Sequence, residues 1–383
     1  MKAVQGEYNE EFASLVEIFA AQGVKDNAGG SSLCVFKDGV AVVNIWQGDA
    51  RQDQPWRAET VSNVFSCTKG IATVLVAMLV EKNLLQLDAK VAEYWPEFAA
   101  EGKEQVTLRQ LLQHRAGLSA PRESISHAQA VDGHSVAEKL AQQAPLWQPG
   151  SSNAYHALTF GYLTAEIIRR VTGQTIGELL QTFISQPLQV AMWIGFRGNE
   201  TTLAPLLSDG NFKSTNPVEF SDGYWLERAM TLGAAFEADP TSPNGFNNPA
   251  TIAAEIAGAN GITNAYGLAK MYSATVCDTD GVRLIRPQTV RDFCQPSPAG
   301  QNFWNEPEPF GKWAAGFMLP LAGVNEMPGK ESFGHNGLGG QAGWASLDQR
   351  VGFGYTTTYL KNTPDTQLNQ QSLVRELNKI LAR

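Results

Sequence analysis

A chain of 383 residues with 43% hydrophobic and 17% charged residues has a folded profile, long enough for a large core in one big domain or two intimately joined ones. The net charge of −9, with no basic run, lacks the concentrated Lys/Arg that phosphate binding needs and argues against a nucleic-acid partner. The four cysteines (Cys34, Cys67, Cys277, Cys294) form no CxxC and the histidines no HExxH, so free thiols are expected and a zinc enzyme has little support.

The N-terminus, MKAVQGEYNEEFASLVEIFA, shows no positive region followed by an apolar run, and no stretch reaches the ~18 apolar residues of a membrane helix. A cytoplasmic protein without membrane contact is expected. Residues 7–23 carry apolar positions at helical spacing and stop at Gly23. Two β-rich runs flank KDG, a hairpin signal. After Ser66, IATVLVAMLVEK predicts a helix buried on most sides. VTLRQLLQHRAGL predicts another, with Thr107 as cap and Gly117 as stop; LTFGYLTAEIIRRVTG a third, ended by Gly173; TIGELLQTFI a fourth.

Residues 195–258, rich in Asn, Pro, Gly and aromatics, read as a long irregular region of the kind that lines sites. Trp193, Trp225, Phe236, Phe246 and Trp304 fall in or near irregular regions and are candidates for an apolar pocket, as they are for ordinary core. ITNAYGLAKMYSATV is helical, with Thr263 as cap. AAGFML, ESFGHN, AGWASLD and VGFGYTTTYL are short strands, and a helix over 367–382 closes the chain. Strands at both ends and helices between them predict an α+β fold, an α/β sandwich. Its mostly antiparallel sheet is flanked by the N- and C-terminal helices, with an inserted helical lobe. The division expected is 1–70 plus 260–383 for the sheet and 71–259 for the lobe.

Chemistry concentrates at VFSCTKGIAT. Ser66 and Lys69 lie three apart, so on a helix they share a face. A serine hydroxyl needs a base, and a lysine serves only when burial makes it neutral. A serine cap with an exposed lysine reads the same. In WQPGSSNAYHAL a PG turn delivers Tyr155 just before a helix, as a proton shuttle or a plain core tyrosine. In FGHNGLGGQAGWASLD, His335 and Gly337 open a predicted strand whose glycines allow close approach; a sheet edge or bulge with a surface histidine is the alternative. A strand N–H there, with that of Ser66, could make an oxyanion hole.

An SxxK opening a buried helix, a tyrosine about 90 residues later and a late HxG strand resemble the serine β-lactamase and penicillin-binding-protein superfamily. The likeness, from about residue 28 to the end, is closest to class C β-lactamases and family VIII carboxylesterases. LLQHRAGL, NLLQLDAKVAEYWPEF and GANGITNAYGLAKMY are similar to that family too. The resemblance implies an acylated nucleophile at Ser66, a base at Lys69, proton transfer at Tyr155 and an oxyanion hole from the N–H groups of Ser66 and Leu338. It places substrate binding at His335, Asn336 and Gly337 and requires no metal or cofactor.

Two departures stand out. The Tyr-x-Asn of lactamases is Tyr155-His156-Ala157 here, and their Lys-Thr-Gly is His335-Asn336-Gly337. Both losses favour small neutral esters over lactams. The expectation is a serine carboxylesterase for short-acyl esters. A β-lactamase, D-amino-acid peptidase or acyltransferase on the same residues is the alternative, and a non-catalytic scaffold the second. Oligomeric state stays open, Cys67 reads as packing and His114 as structural.

Overall fold

The computed structural model describes residues 3–23, 29–214, 221–298, 302–304, 311–361 and 368–383. Both ends of the chain build one sheet. Asp38 and Gly39 turn with φ of 52° and 84°, the mirror-image turn that matches strand twist, and join strand Gly30–Lys37 to Val40–Arg51. Strand Val351–Thr357 pairs with Gly30–Lys37, followed outward by Ala342–Ser346, Ser332–Asn336, Met318–Leu319 and Lys312–Trp313. Every pairing on this path is antiparallel.

Period-two alternation decides what each face meets. Leu33 and Val35 point to a core shared with Trp344, Phe353 and the terminal helices Ala13–Ala21 and Leu368–Leu381. Cys34 and Phe36 point the other way, to Ala265 and Ala269 of helix Ala265–Val276. That helix rests directly on sheet backbone, since a Cβ at Gly352 or Gly354 would stand 2.2 Å from a helix carbonyl. Beyond it lies the larger core, centred on helix Cys67–Glu81, which is buried on nearly every side against Leu108–Leu112, Thr159–Thr172 and Ile176–Leu180. No helix among the described residues is long and apolar enough to cross a membrane.

Four boundaries differ from the sequence reading. Residues Gln5–Tyr8 form an edge strand, so the first α-helix begins only at Ala13. Thr107 does cap its helix, but the helix ends at Leu112 because His114 turns left-handed at φ 61°, well before Gly117. Asn264 rather than Thr263 caps helix Ala265–Val276; Thr263 belongs to the short strand Gly261–Thr263, and its hydroxyl donates to Ala191 O at 2.7 Å. The irregular region contains helix Asp222–Thr231, capped by Ser221. Residues 215–220 of that region, and residue 367, lie outside the described residues.

Tyr272 gives a stability prediction. Its hydroxyl is buried and has no hydrogen-bond partner among the described residues. An unpaired buried hydroxyl forfeits about 1–3 kcal/mol of hydration. Tyr272→Phe is therefore expected to raise Tm by about 1–2 °C in a calorimetric scan, a large domain moving little per kcal/mol. A fall in Tm would mean that the hydroxyl has a partner in solution.

Candidate active site

Ser66 stands at the junction of a small sheet and the central helix. Strand Ser62–Asn63 pairs with Gly261–Thr263, which in turn pairs with Met192–Ile194. Between strand and helix, Phe65 is held at φ 44°. For a bulky side chain this costs about 1–3 kcal/mol and persists only where neighbours impose it. Here Phe65 N–H donates to Asn63 Oδ1 at 2.7 Å, Asn63 donates to Asn260 at 3.0 Å, and the Phe65 ring meets Phe246 edge-on. Ser66 takes the cap position of the helix but makes no capping bond with its side chain. Its half-buried hydroxyl is thereby left for other partners.

Lys69 is fully buried. Its Nζ lies 3.1 Å from Ser66 Oγ, 2.6 Å from Ala157 O and 2.7 Å from Gly258 O. Nζ donates to both carbonyls and to Ser66 Oγ, and once burial leaves the amine neutral its lone pair can turn to accept the serine proton. Burial pushes the Lys69 pKa well below the usual lysine value, with the Cys67 thiol opposing weakly. The two carbonyls come from loops 88 and 189 residues away, so the base exists only once the lobe has folded.

Tyr155 is hydrogen-bonded through its hydroxyl to the Ser66 side chain. Its ring lies 4.8 Å from Lys69 Nζ and stacks on Trp313 at 5.1 Å. Burial raises its pKa, so it stays a phenol at neutral pH and can relay a proton without holding a charge. Below it, His114 packs edge-on to the Tyr155 ring at 5.1 Å and takes the His156 N–H on Nδ1.

The loop after strand Ser332–Asn336 closes the site. A Cβ at Gly337 would stand 2.4 Å from Val64 O, so this backbone passes directly against the approach to Ser66. Among the described residues, no acceptor takes the backbone N–H of Ser66 or of Leu338. Two unclaimed donors, each within two residues of that close approach, are candidates for the oxygen of a tetrahedral intermediate.

The HxG segment differs from the sequence reading in three ways. His335 lies next to the end of strand Ser332–Asn336 rather than opening one, and at 2% exposure it is no surface residue. Its Nδ1–H donates to Asn336 O at 2.6 Å, and its ring lies under Tyr155 and Trp313. Burial, with Lys69 adding to it, lowers its pKa to about 3, so it carries no charge for a substrate carboxylate. Adjacent strand residues face opposite sides of a sheet, so Asn336 points away from Ser66. Its amide is spent there, donating to Asn325 at 2.9 Å and accepting from Trp344 Nε1 at 2.9 Å. Gly337 contributes through its close approach to Val64.

Cys67 packs as read, its thiol donating to His335 O at 3.2 Å. Of the candidate aromatics, Trp225 and Trp304 share an apolar cluster with Tyr155, Phe236 and Phe246 stack on each other, and Trp193 packs on Phe196 in a separate cluster. Sequence reasoning missed Trp313, which sits in an ordinary-looking segment, and the carbonyls of Ala157 and Gly258, because backbone acceptors leave no mark in a sequence.

The pattern of the Beta-lactamase family matches residues 15–375. Among curated proteins, "Esterase/beta-lactamase LipL" of Mycobacterium tuberculosis is 31% identical over 369 residues, covering 92% of this chain and 82% of that one. A crystal structure of a family VIII carboxylesterase superposes with TM-score 0.85 at 30% identity, covering 99% of this chain and 100% of the other. A penicillin-binding protein homologue from Caulobacter crescentus superposes with TM-score 0.86 at 30% identity and the same coverage.

Proposed function

The chain belongs to the beta-lactamase family and is a serine hydrolase of the esterase/β-lactamase type, and within that family we propose that it is a carboxylesterase for small, neutral, short-acyl esters, working through an acyl-enzyme on Ser66. The observation that carries the reading is the fully buried amine of Lys69, tied to two carbonyls with its Nζ 3.1 Å from Ser66 Oγ, where a lysine made neutral by burial takes up the serine proton. Ser66 Oγ attacks the ester carbonyl as its proton passes to Lys69. The developing oxyanion is met by the N–H groups of Ser66 and Leu338. Tyr155, hydrogen-bonded to Ser66, passes the proton on to the departing alkoxide. Water then attacks the acyl-enzyme, with Lys69 and Tyr155 working in reverse.

The charges around the site support a neutral substrate. Lys69 is committed to carbonyls, His335 is neutral and the Asn336 amide faces the other side of the sheet. Arg228, on the nearby helix, spends its donors on Pro121 O, Arg122 O and Ser124 Oγ. Ala157, where lactamases place an asparagine, gives its carbonyl to Lys69. None of these groups is left to hold the carboxylate or amide of a lactam.

The test is hydrolysis of p-nitrophenyl butyrate and of nitrocefin, side by side, for the wild type and Ser66→Ala. Ester turnover that the substitution abolishes, with nitrocefin cleaved at least about 10²-fold less efficiently, is expected from the loss of the nucleophile and the missing anion site. Nitrocefin cleavage comparable to the ester would move the protein to the lactamase side. Ester turnover retained by Ser66→Ala would remove Ser66 from the mechanism.

A further inference from the structure

An alcohol that takes its proton at the cluster of Ser66, Lys69 and Tyr155 departs along Tyr155. That side of the site is walled by aromatic rings from separate segments. Tyr155 stacks on Trp313 with an interplanar angle of 17°. Residues 302–304 run beside 153–155: Asn153 and Asn302 form a parallel bridge, and Phe303 N–H donates to Asn153 O at 2.8 Å. This brings Trp304 into the apolar cluster, with Trp147 and Trp225, against which Tyr155 packs. Tyr155, Phe303 and Trp313 remain half-buried, so ring surface stays open to a ligand. The indole N–H of Trp304 is buried and has no acceptor among the described residues. Arg122 lies 5.8 Å over the Trp225 ring with its donors on Ala144 O and Pro145 O.

We propose that this wall is the alcohol-side subsite and that it takes a flat aromatic ring, making the substrates esters of aryl-bearing alcohols with a small acyl group. The ring packs on the surface that the Tyr155–Trp313 stack leaves exposed, where aromatic contact, edge-to-face included, is worth more than equal apolar area alone. A polar substituent on the ring accepts from Trp304 Nε1–H, a buried donor with no acceptor among the described residues. In the step concerned, the bond from Ser66 Oγ to the acyl carbon forms and the ester C–O bond breaks. The aryl alkoxide leaves with the proton that Ser66 gave up. The inference rests on the esterase reading and names the substrate class of that site.

The experiment compares kcat/KM for benzyl acetate and cyclohexylmethyl acetate, two primary-alcohol esters of similar size and one shared acyl group. Because the acyl-enzyme is common to both, kcat/KM reports the alcohol half. The wild type is expected to favour benzyl acetate by about fivefold, and Trp313→Leu to erase the preference. 4-Methoxybenzyl acetate is expected to gain over benzyl acetate in the wild type and not in Trp304→Phe, which keeps the ring and removes the donor. Equal kcat/KM for the benzyl and cyclohexylmethyl esters in the wild type would overturn the inference while leaving the esterase reading intact, whatever the variants do. A preference that Trp313→Leu retains in full would overturn the assignment to this wall. No turnover of these acetates or of p-nitrophenyl butyrate would bring down the esterase reading and the inference together.

Discussion

Lys69→Arg is expected to lower kcat/KM for p-nitrophenyl butyrate by about 10³-fold, in the range that loss of a general base produces. Arginine offers donors for Ala157 O and Gly258 O, but it brings a permanent positive charge where the lysine is neutral and has no lone pair to offer Ser66 at any working pH. The substitution therefore removes the acceptor and puts a fixed charge in its place. Circular dichroism and Tm would show whether the buried guanidinium is accommodated. Ser66→Ala with Lys69→Arg is expected to fall no further than Ser66→Ala alone, because a nucleophile and its base act as one unit. The wild-type pH profile carries the same argument. Burial keeps His335 neutral above about 3 and His156 neutral above about 4, and holds the Cys67 and Tyr155 pKa values high. Lys69, pushed well below the usual lysine value, is then the site group whose deprotonation raises kcat/KM as pH increases. Activity should climb through that depressed pKa and stay high into alkaline pH. An optimum below about pH 6, or a Lys69→Arg enzyme within tenfold of the wild type, would rule out the lysine base.

The architecture was legible because it is written in local periodicity. The β-rich run of the Gly30–Lys37 strand, the Asp38–Gly39 turn and the apolar run after Ile71 each act over a few residues, and together they make one shared sheet the simplest packing of the terminal strands. Ser66, Lys69 and Tyr155 were legible as residue types in an order, and the structure brings all three within contact. What the sequence hid is long-range. The acceptors that hold the Lys69 amine are backbone carbonyls, which any residue supplies. Trp313 reaches Tyr155 across the molecule. The burial that strips His335 of charge depends on what covers a strand end and not on the strand's own residues. The opposed faces of His335 and Asn336 could have been read from period two alone, had the motif been treated as strand rather than as a block.

Gly337→Ala is expected to lower kcat and kcat/KM together by about 10²–10³-fold, the usual loss when one oxyanion donor is withdrawn. Gly337 has φ −118° and ψ 158°, extended backbone that alanine adopts freely, so any effect is steric. The new Cβ would stand 2.4 Å from Val64 O and 2.8 Å from Gln341 Cβ. Neither neighbour yields easily. Val64 is tied to the small sheet, its N–H donating to Gly261 O at 2.9 Å. Gln341 is clamped at both ends of its amide to the Thr357 backbone, at 2.6 and 2.7 Å. The loop itself must move, and Leu338 N–H moves with it away from Ser66. Overpacking should cost about 1–3 kcal/mol of stability, which a thermal melt would register. Ser66 and Lys69 keep their places, so the pH at which activity rises should not shift. Leu338→Ala, which alters the side chain and keeps the N–H, is expected to cost far less than Gly337→Ala. If Gly337→Ala loses less than about threefold in kcat while Leu338→Ala loses more, the side chain of Leu338 matters and its N–H is not the second oxyanion donor.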